Sequence, residues 1–211
     1  MTGAILVFGE SDNDRLAMVE LVRALVPTTR VVRAMRQPII LMKGTNRPET
    51  RRTTVSKVAA VHKAECVRGR VDLVVAHEDA DAIEPAHEPH AQAIERALAT
   101  HGIDAISAVP AFEIDAWWYL WPDAVRRVCS GWKRLKRDGK SVGFIKNAKE
   151  QLTADLGTAG KRKYRESDSI GIARAVREQG LANKPVALSN SYDRFRVRLR
   201  AALGPSIQQG A

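Results

Sequence analysis

The stretch Val71-Asp72-Leu73-Val74-Val75-Ala76, followed at once by His77-Glu78-Asp79-Ala80-Asp81, constrains this chain more than any other. A short, unbroken apolar run is the pattern of a strand buried on both faces of a parallel sheet. Parallel strands need crossover connections, so the flanking sequence must alternate between strands and helices. Ala4–Phe8 is a second run of the same kind. It turns through Gly9-Glu10-Ser11-Asp12 into a helix from about Asn13 to Pro27, with Leu16, Val19, Leu21, Val22 and Leu25 at helical spacing.

The rest of the chain extends this pattern. Val31–Met35 reads as a strand, and residues 36–52 read as a basic loop with Arg36, Lys43, Arg47, Arg51 and Arg52 among Pro38, Gly44 and Pro48. A helix is predicted over Thr53–Arg68, another from about His90 to His101, and a strand over Ile103–Val109. Ile114–Val128 reads as one helix rich in aromatics. Strand signals then fade. A basic belt follows, with Lys133, Arg134, Lys136, Arg137, Lys140, Lys146 and Lys149, then Lys161, Arg162 and Lys163. Helices are predicted near Asp168–Glu178 and Ser191–Leu203. The expectation is an α/β fold, a parallel sheet flanked by helices over residues 1–112. A helical, basic region (113–204) packs on it, and residues 205–211 form a flexible tail.

Charge narrows the partner class. The 211 residues carry a formal net charge of +10, a field that attracts polyanions, so DNA or RNA leads; a basic surface with no such partner is the alternative. Cys66 and Cys129 suggest neither a disulfide framework nor a zinc site and fit a reducing cytosol. The N-terminal run lacks the basic flank and cleavage site of a signal peptide. No apolar stretch approaches the roughly 18 residues of a membrane span. A soluble, cytoplasmic protein is expected. No serine or cysteine hydrolase order, dinucleotide fingerprint or phosphate-binding loop is present.

Ligands of parallel α/β sheets bind at the carboxyl ends of the strands. Three predicted strands end there in acid: Glu10 with Asp12 and Asp14, then Glu78, Asp79 and Asp81, then Glu113 and Asp115. Carboxylates so gathered are costly unless a cation neutralises them, and hard oxygen donors suit Mg2+ or Mn2+. Asp79 and Asp81, one residue apart, would point the same way in an extended chain and share a metal. Glu10 would be a further ligand or a general acid/base, with Glu113 assisting. Helix caps and solvated loops use the same residue types. Trp117, Trp118 and Trp121 suit base stacking, but core packing is the stronger reading for aromatics at this spacing. Lys43, Arg47, Arg51, Lys133, Arg134, Lys136, Arg137, Lys161, Arg162 and Lys163 are the candidate phosphate contacts.

A strand, a Gly-Glu turn, a helix and a later strand ending in Asp79-Ala80-Asp81 resemble the TOPRIM fold of topoisomerases, primases and OLD-type nucleases. Val109-Pro110-Ala111-Phe112-Glu113-Ile114-Asp115-Ala116-Trp117 is similar to a segment of a TOPRIM-like bacterial family that accompanies ATPases in phage-defence loci. Lys163-Tyr164-Arg165-Glu166-Ser167 and Ser191-Tyr192-Asp193-Arg194-Phe195 resemble its C-terminal end. The likeness spans roughly residues 4–200. It implies a magnesium-dependent nuclease with Asp79 and Asp81 on the metal, a partner ATPase, and compatibility with a homo-oligomer. The usual TOPRIM order places the glutamate directly before the glycine, whereas here Phe8 holds that position and Glu10 comes two residues later. Either Glu10 takes over the role or the site is altered, which leaves a non-catalytic nucleic-acid-binding or adaptor protein as the alternative.

Overall fold

The computed structural model describes residues 3–36, 39–42, 47–157 and 162–204. Four parallel strands, β1 (Ala4–Phe8), β2 (Val32–Ala34), β3 (Val71–His77) and β4 (Ala105–Ala108), form one sheet in the order β2-β1-β3-β4. Helices cover both faces, so the chain is an α/β protein with an all-parallel sheet. Among the described residues no helix is long and apolar enough to cross a membrane.

Strand periodicity of two divides the core. Ile5, Val7, Leu73, Val75, Ile106 and Ala108 face one layer, while Leu6, Phe8, Val74 and Ala76 face the other. The second layer is closed by α2 (Pro48–Arg68) and α3 (His87–Ala99), which supply Val55, Val58, Ala91, Ile94 and Leu98. The first is closed by α1 (Asp12–Leu25) and by the C-terminal part of the chain: a 3-10 segment (Ile114–Leu120), α4 (Pro122–Val128), α5 (Ala148–Leu156), α6 (Asp168–Glu178) and α7 (Asn190–Leu203). α1 packs directly on α6. One apolar cluster therefore joins strand residues to Trp117, Trp118, Trp121 and Phe195.

The expected aromatic helix is two pieces. Pro122 has no N–H to continue the ladder and pushes the preceding residue out of helical geometry, and Trp121 has φ −136° and ψ 70°. All three tryptophans of the segment are buried. Trp117 stacks on Phe195 with ring centres 5.9 Å apart, and the indole N–H groups donate to Ser191 Oγ, Ser169 Oγ and the Leu181 carbonyl. They are core residues.

Two other boundaries differ from expectation. α2 begins at Pro48, so part of the predicted basic loop is helical: Pro stands in the first turn, where its missing N–H costs nothing. α5 falls within the stretch read only as a basic belt. Lys43, Lys161 and the tail 205–211 lie outside the described residues.

Candidate active site at the carboxyl ends of the strands

β1 runs through α1 to β2 on one side, and β3 runs through α3 to β4 on the other. The two connections lie on opposite faces of the sheet, so the chain diverges between β1 and β3 and leaves a crevice at their carboxyl ends. Glu10 leaves β1 at this point and Asp79 leaves β3. The Asp79 N–H donates to Glu10 Oε2 at 3.3 Å, and the Asp79 carboxylate accepts from the Ile114 N–H at 3.0 Å. Gly9 is required beside them, because a Cβ there would stand 2.9 Å from the Arg15 Cα. Ser11 caps α1 by accepting from the Asp14 N–H, which brings Asp12 and Asp14 into the first turn of that helix.

Phe8, at the position before the glycine, is 1% exposed and belongs to the α2/α3 layer. A carboxylate there would be buried in apolar surroundings. Glu10 is the acidic residue that the end of β1 presents to β3.

Asp79 and Asp81 do not share an extended segment. β3 and β4 keep pairing irregularly after their regular ends, through Glu78 N–H to Ala108 O and Ala80 N–H to Pro110 O. The chain then turns at Asp81, which adopts φ 51° and is exposed, whereas Asp79 is buried. The left-handed turn sends the second aspartate to the rim. Among the described residues no group of three His, Cys, Asp or Glu side chains is gathered to hold an ion.

Below Asp79, on the same face of the strand, His77 is fully buried with its Nε2 3.4 Å from Asp79 Oδ1. Burial opposes a charge on this ring, but the field of Asp79, and beyond it Asp14 and Glu10, outweighs burial and pushes its pKa up to about 9. Glu113 is raised, first by burial and then by Asp79 and Glu150, although it accepts from the Lys149 N–H at 3.0 Å. That bond caps the start of α5, whose own N-cap residue Asn147 contributes no side-chain bond.

Asp115 lies deeper. Burial, with Glu113, Asp79 and Asp14 adding to it, raises its pKa to about 7, against the lowering effect of the Tyr164 hydroxyl that donates to it. Between pH 4 and 7 the folded protein therefore holds a proton here that the unfolded chain has lost, and stability falls as pH rises. Urea unfolding from pH 5 to pH 8 should show wild type losing on the order of a few kcal/mol relative to Asp115→Asn. A stability difference between the two that stays flat with pH would mean that Asp115 ionises normally.

Glu78, expected among the strand-end acids of the site, instead points to the opposite face and ties a loop. It is 0% exposed and accepts from the backbone N–H groups of Leu41 and Met42, while His90 Nε2 lies 2.9 Å from its Oε1. The Ile39 N–H donates to the Gly9 carbonyl at 2.8 Å. Residues 39–42 are thus tied across the ends of β1 and β3, beside Glu10 and Asp79.

The candidate phosphate contacts divide into two groups. Arg134 pairs with Asp138 at 3.2 Å, Arg137 lies over the Tyr119 ring, and Arg162 is held by Asp168 at 2.7 Å and by the Trp132 face. These cations serve the fold of the C-terminal part. Lys133, Lys136 and Lys163 are exposed and make no ion pair among the described residues, and Arg47 stands exposed at the start of α2. Arg51 lies within the first turns of α2. No family model matches the chain, and neither a curated protein nor a solved structure matches it.

Proposed function

We propose that this chain is a magnesium-dependent nuclease on a TOPRIM-like core, acting in the cytoplasm as the effector of an anti-phage system with a partner ATPase. The observation that carries the reading is the meeting of Glu10 and Asp79 at the switch point of the sheet, with Glu113 and Asp115 close enough to feel Asp79. Their carboxylate oxygens are the donors that Mg2+ or Mn2+ takes, and magnesium needs only one or two carboxylates because waters and substrate phosphates complete its shell. Glu10 and Asp79 would hold the ion, with Asp81 at the rim. When bound, it would neutralise these charges and polarise a phosphoryl oxygen. Glu113, with its raised pKa, is suited to carry a proton to a leaving oxygen. Arg47, Arg51, Lys133, Lys136 and Lys163 supply phosphate contacts.

One observation favours a second reading, a non-catalytic nucleic-acid-binding or adaptor protein. A charged His77 beneath Asp79 is an internal counterion, which lessens the need for an added cation. Incubation with single- and double-stranded DNA and RNA in magnesium, manganese or chelator separates the two. The nuclease gives metal-dependent products, and Glu10→Gln lowers their rate by about 100-fold. Salt-sensitive binding with no product in either metal rejects the nuclease and leaves the binding protein.

A further inference from the structure

A groove of about 1320 Å3 runs between the β2 edge and α2, with Glu10 among its lining residues. On the α2 side it is lined by Thr50, Thr54, Lys57, Val61 and Arg68, one face of the helix from Thr50 to Arg68, or about 27 Å at helical rise. α2 spends little of its surface on the core: Val55, Val58 and Glu65 are its buried residues. The opposite wall carries Arg33 and Arg36, and Met35, Ile39 and Ile40 add apolar surface. At the end away from Glu10, Glu65 holds both Arg33 of β2 and Arg68 of α2, at 2.9 and 2.6 Å, and so fixes the spacing of the walls. Arg36 and Lys57 are exposed and make no ion pair among the described residues.

We infer that this groove is a track for single-stranded nucleic acid that leads into the Glu10–Asp79 crevice. Cations on both walls match a phosphodiester backbone, and the apolar side chains between them offer surface for unstacked bases. The length suits a polymer rather than a single nucleotide. The shape is concave, unlike a surface that lies on a membrane. Strand addition by a peptide is disfavoured because Arg23 already donates to the Val32 carbonyl at the β2 edge, at 3.3 Å. The direction of the track, though not its existence, rests on the nuclease reading.

Anisotropy of fluorescein-labelled oligo(dT) and oligo(U) 12-mers, in chelator so that nothing is cut, tests the inference and compares DNA with RNA. The double variant Arg36→Glu/Lys57→Glu should bind at least about tenfold more weakly, with the slope of log K against log salt concentration shallower by about 1.4 for two lost phosphate contacts. Arg36→Ala/Lys57→Ala, removing charge without reversing it, should show the same slope change, and thermal melts of both should match wild type. Unchanged oligonucleotide affinity in both variants overturns the track. So does a loss confined to poly-glutamate or anionic vesicles. Groove-dependent binding in a chain that never cleaves would reject the nuclease alone; cleavage with groove-independent binding would reject the track alone.

Discussion

Asp79→Asn should lose about 100-fold or more of metal-dependent cleavage while remaining folded. Asparagine keeps an oxygen for the Ile114 N–H that Asp79 now accepts at 3.0 Å, so the turn into the 3-10 segment survives. What it removes is the negative charge. His77, raised by that charge, then loses its main partner and can release its proton, which limits the cost in stability. Asp79→Ala removes the acceptor as well and should cost about 1–3 kcal/mol more, because a buried N–H is left unsatisfied. Rate measurements beside thermal melts of both variants separate chemistry from folding. Equal cleavage by wild type and Asp79→Asn would show that the crevice does not catalyse.

Glu78→Ala should produce the largest loss of stability among single changes near the site, about 3 kcal/mol, or a fall in melting temperature of roughly 6–12 °C. Its carboxylate satisfies the buried Leu41 N–H and the half-buried Met42 N–H and meets His90. Alanine provides no substitute for any of these. Glu78→Gln keeps one acceptor oxygen and should recover part of the loss. Because the clamp fixes residues 39–42 beside Glu10, cleavage should also fall in Glu78→Ala below its melting temperature. A variant as stable as wild type would show that water satisfies those groups.

The buried strands were legible because an apolar run with no polar interruption has few other uses, and β1 and β3 are where Ala4–Phe8 and Val71–Ala76 placed them. α6 and α7 lie where helices were expected, within one residue at each end. The start of α2 was hidden by arginines that look like loop residues, although Pro48 followed by Glu49 is a recognisable first turn. α5 was hidden because Glu113, far away in sequence, supplies its cap. At the site, strand-end acids were visible, but the neighbouring of Glu10 and Asp79 depends on strand order, which local pattern does not encode. The separation of Asp79 from Asp81 depends on one left-handed residue. The role of Glu78 depends on where a loop more than thirty positions earlier comes to rest.

The divergence of the chain between β1 and β3 bears on how such a protein can change over generations. Beyond the strand termini the loops divide into buried anchors, Glu78, Asp79 and Val109 among them, and an exposed rim that includes Asp81. At β1 the two sides of Gly9 differ: Phe8 before it is held in the apolar layer, and Glu10 after it reaches the crevice. The scaffold thus tolerates a carboxylate after Gly9 and penalises one before it, inside the apolar layer. Selection can rewrite the acidic rim, residue by residue, against a framework that stays the same.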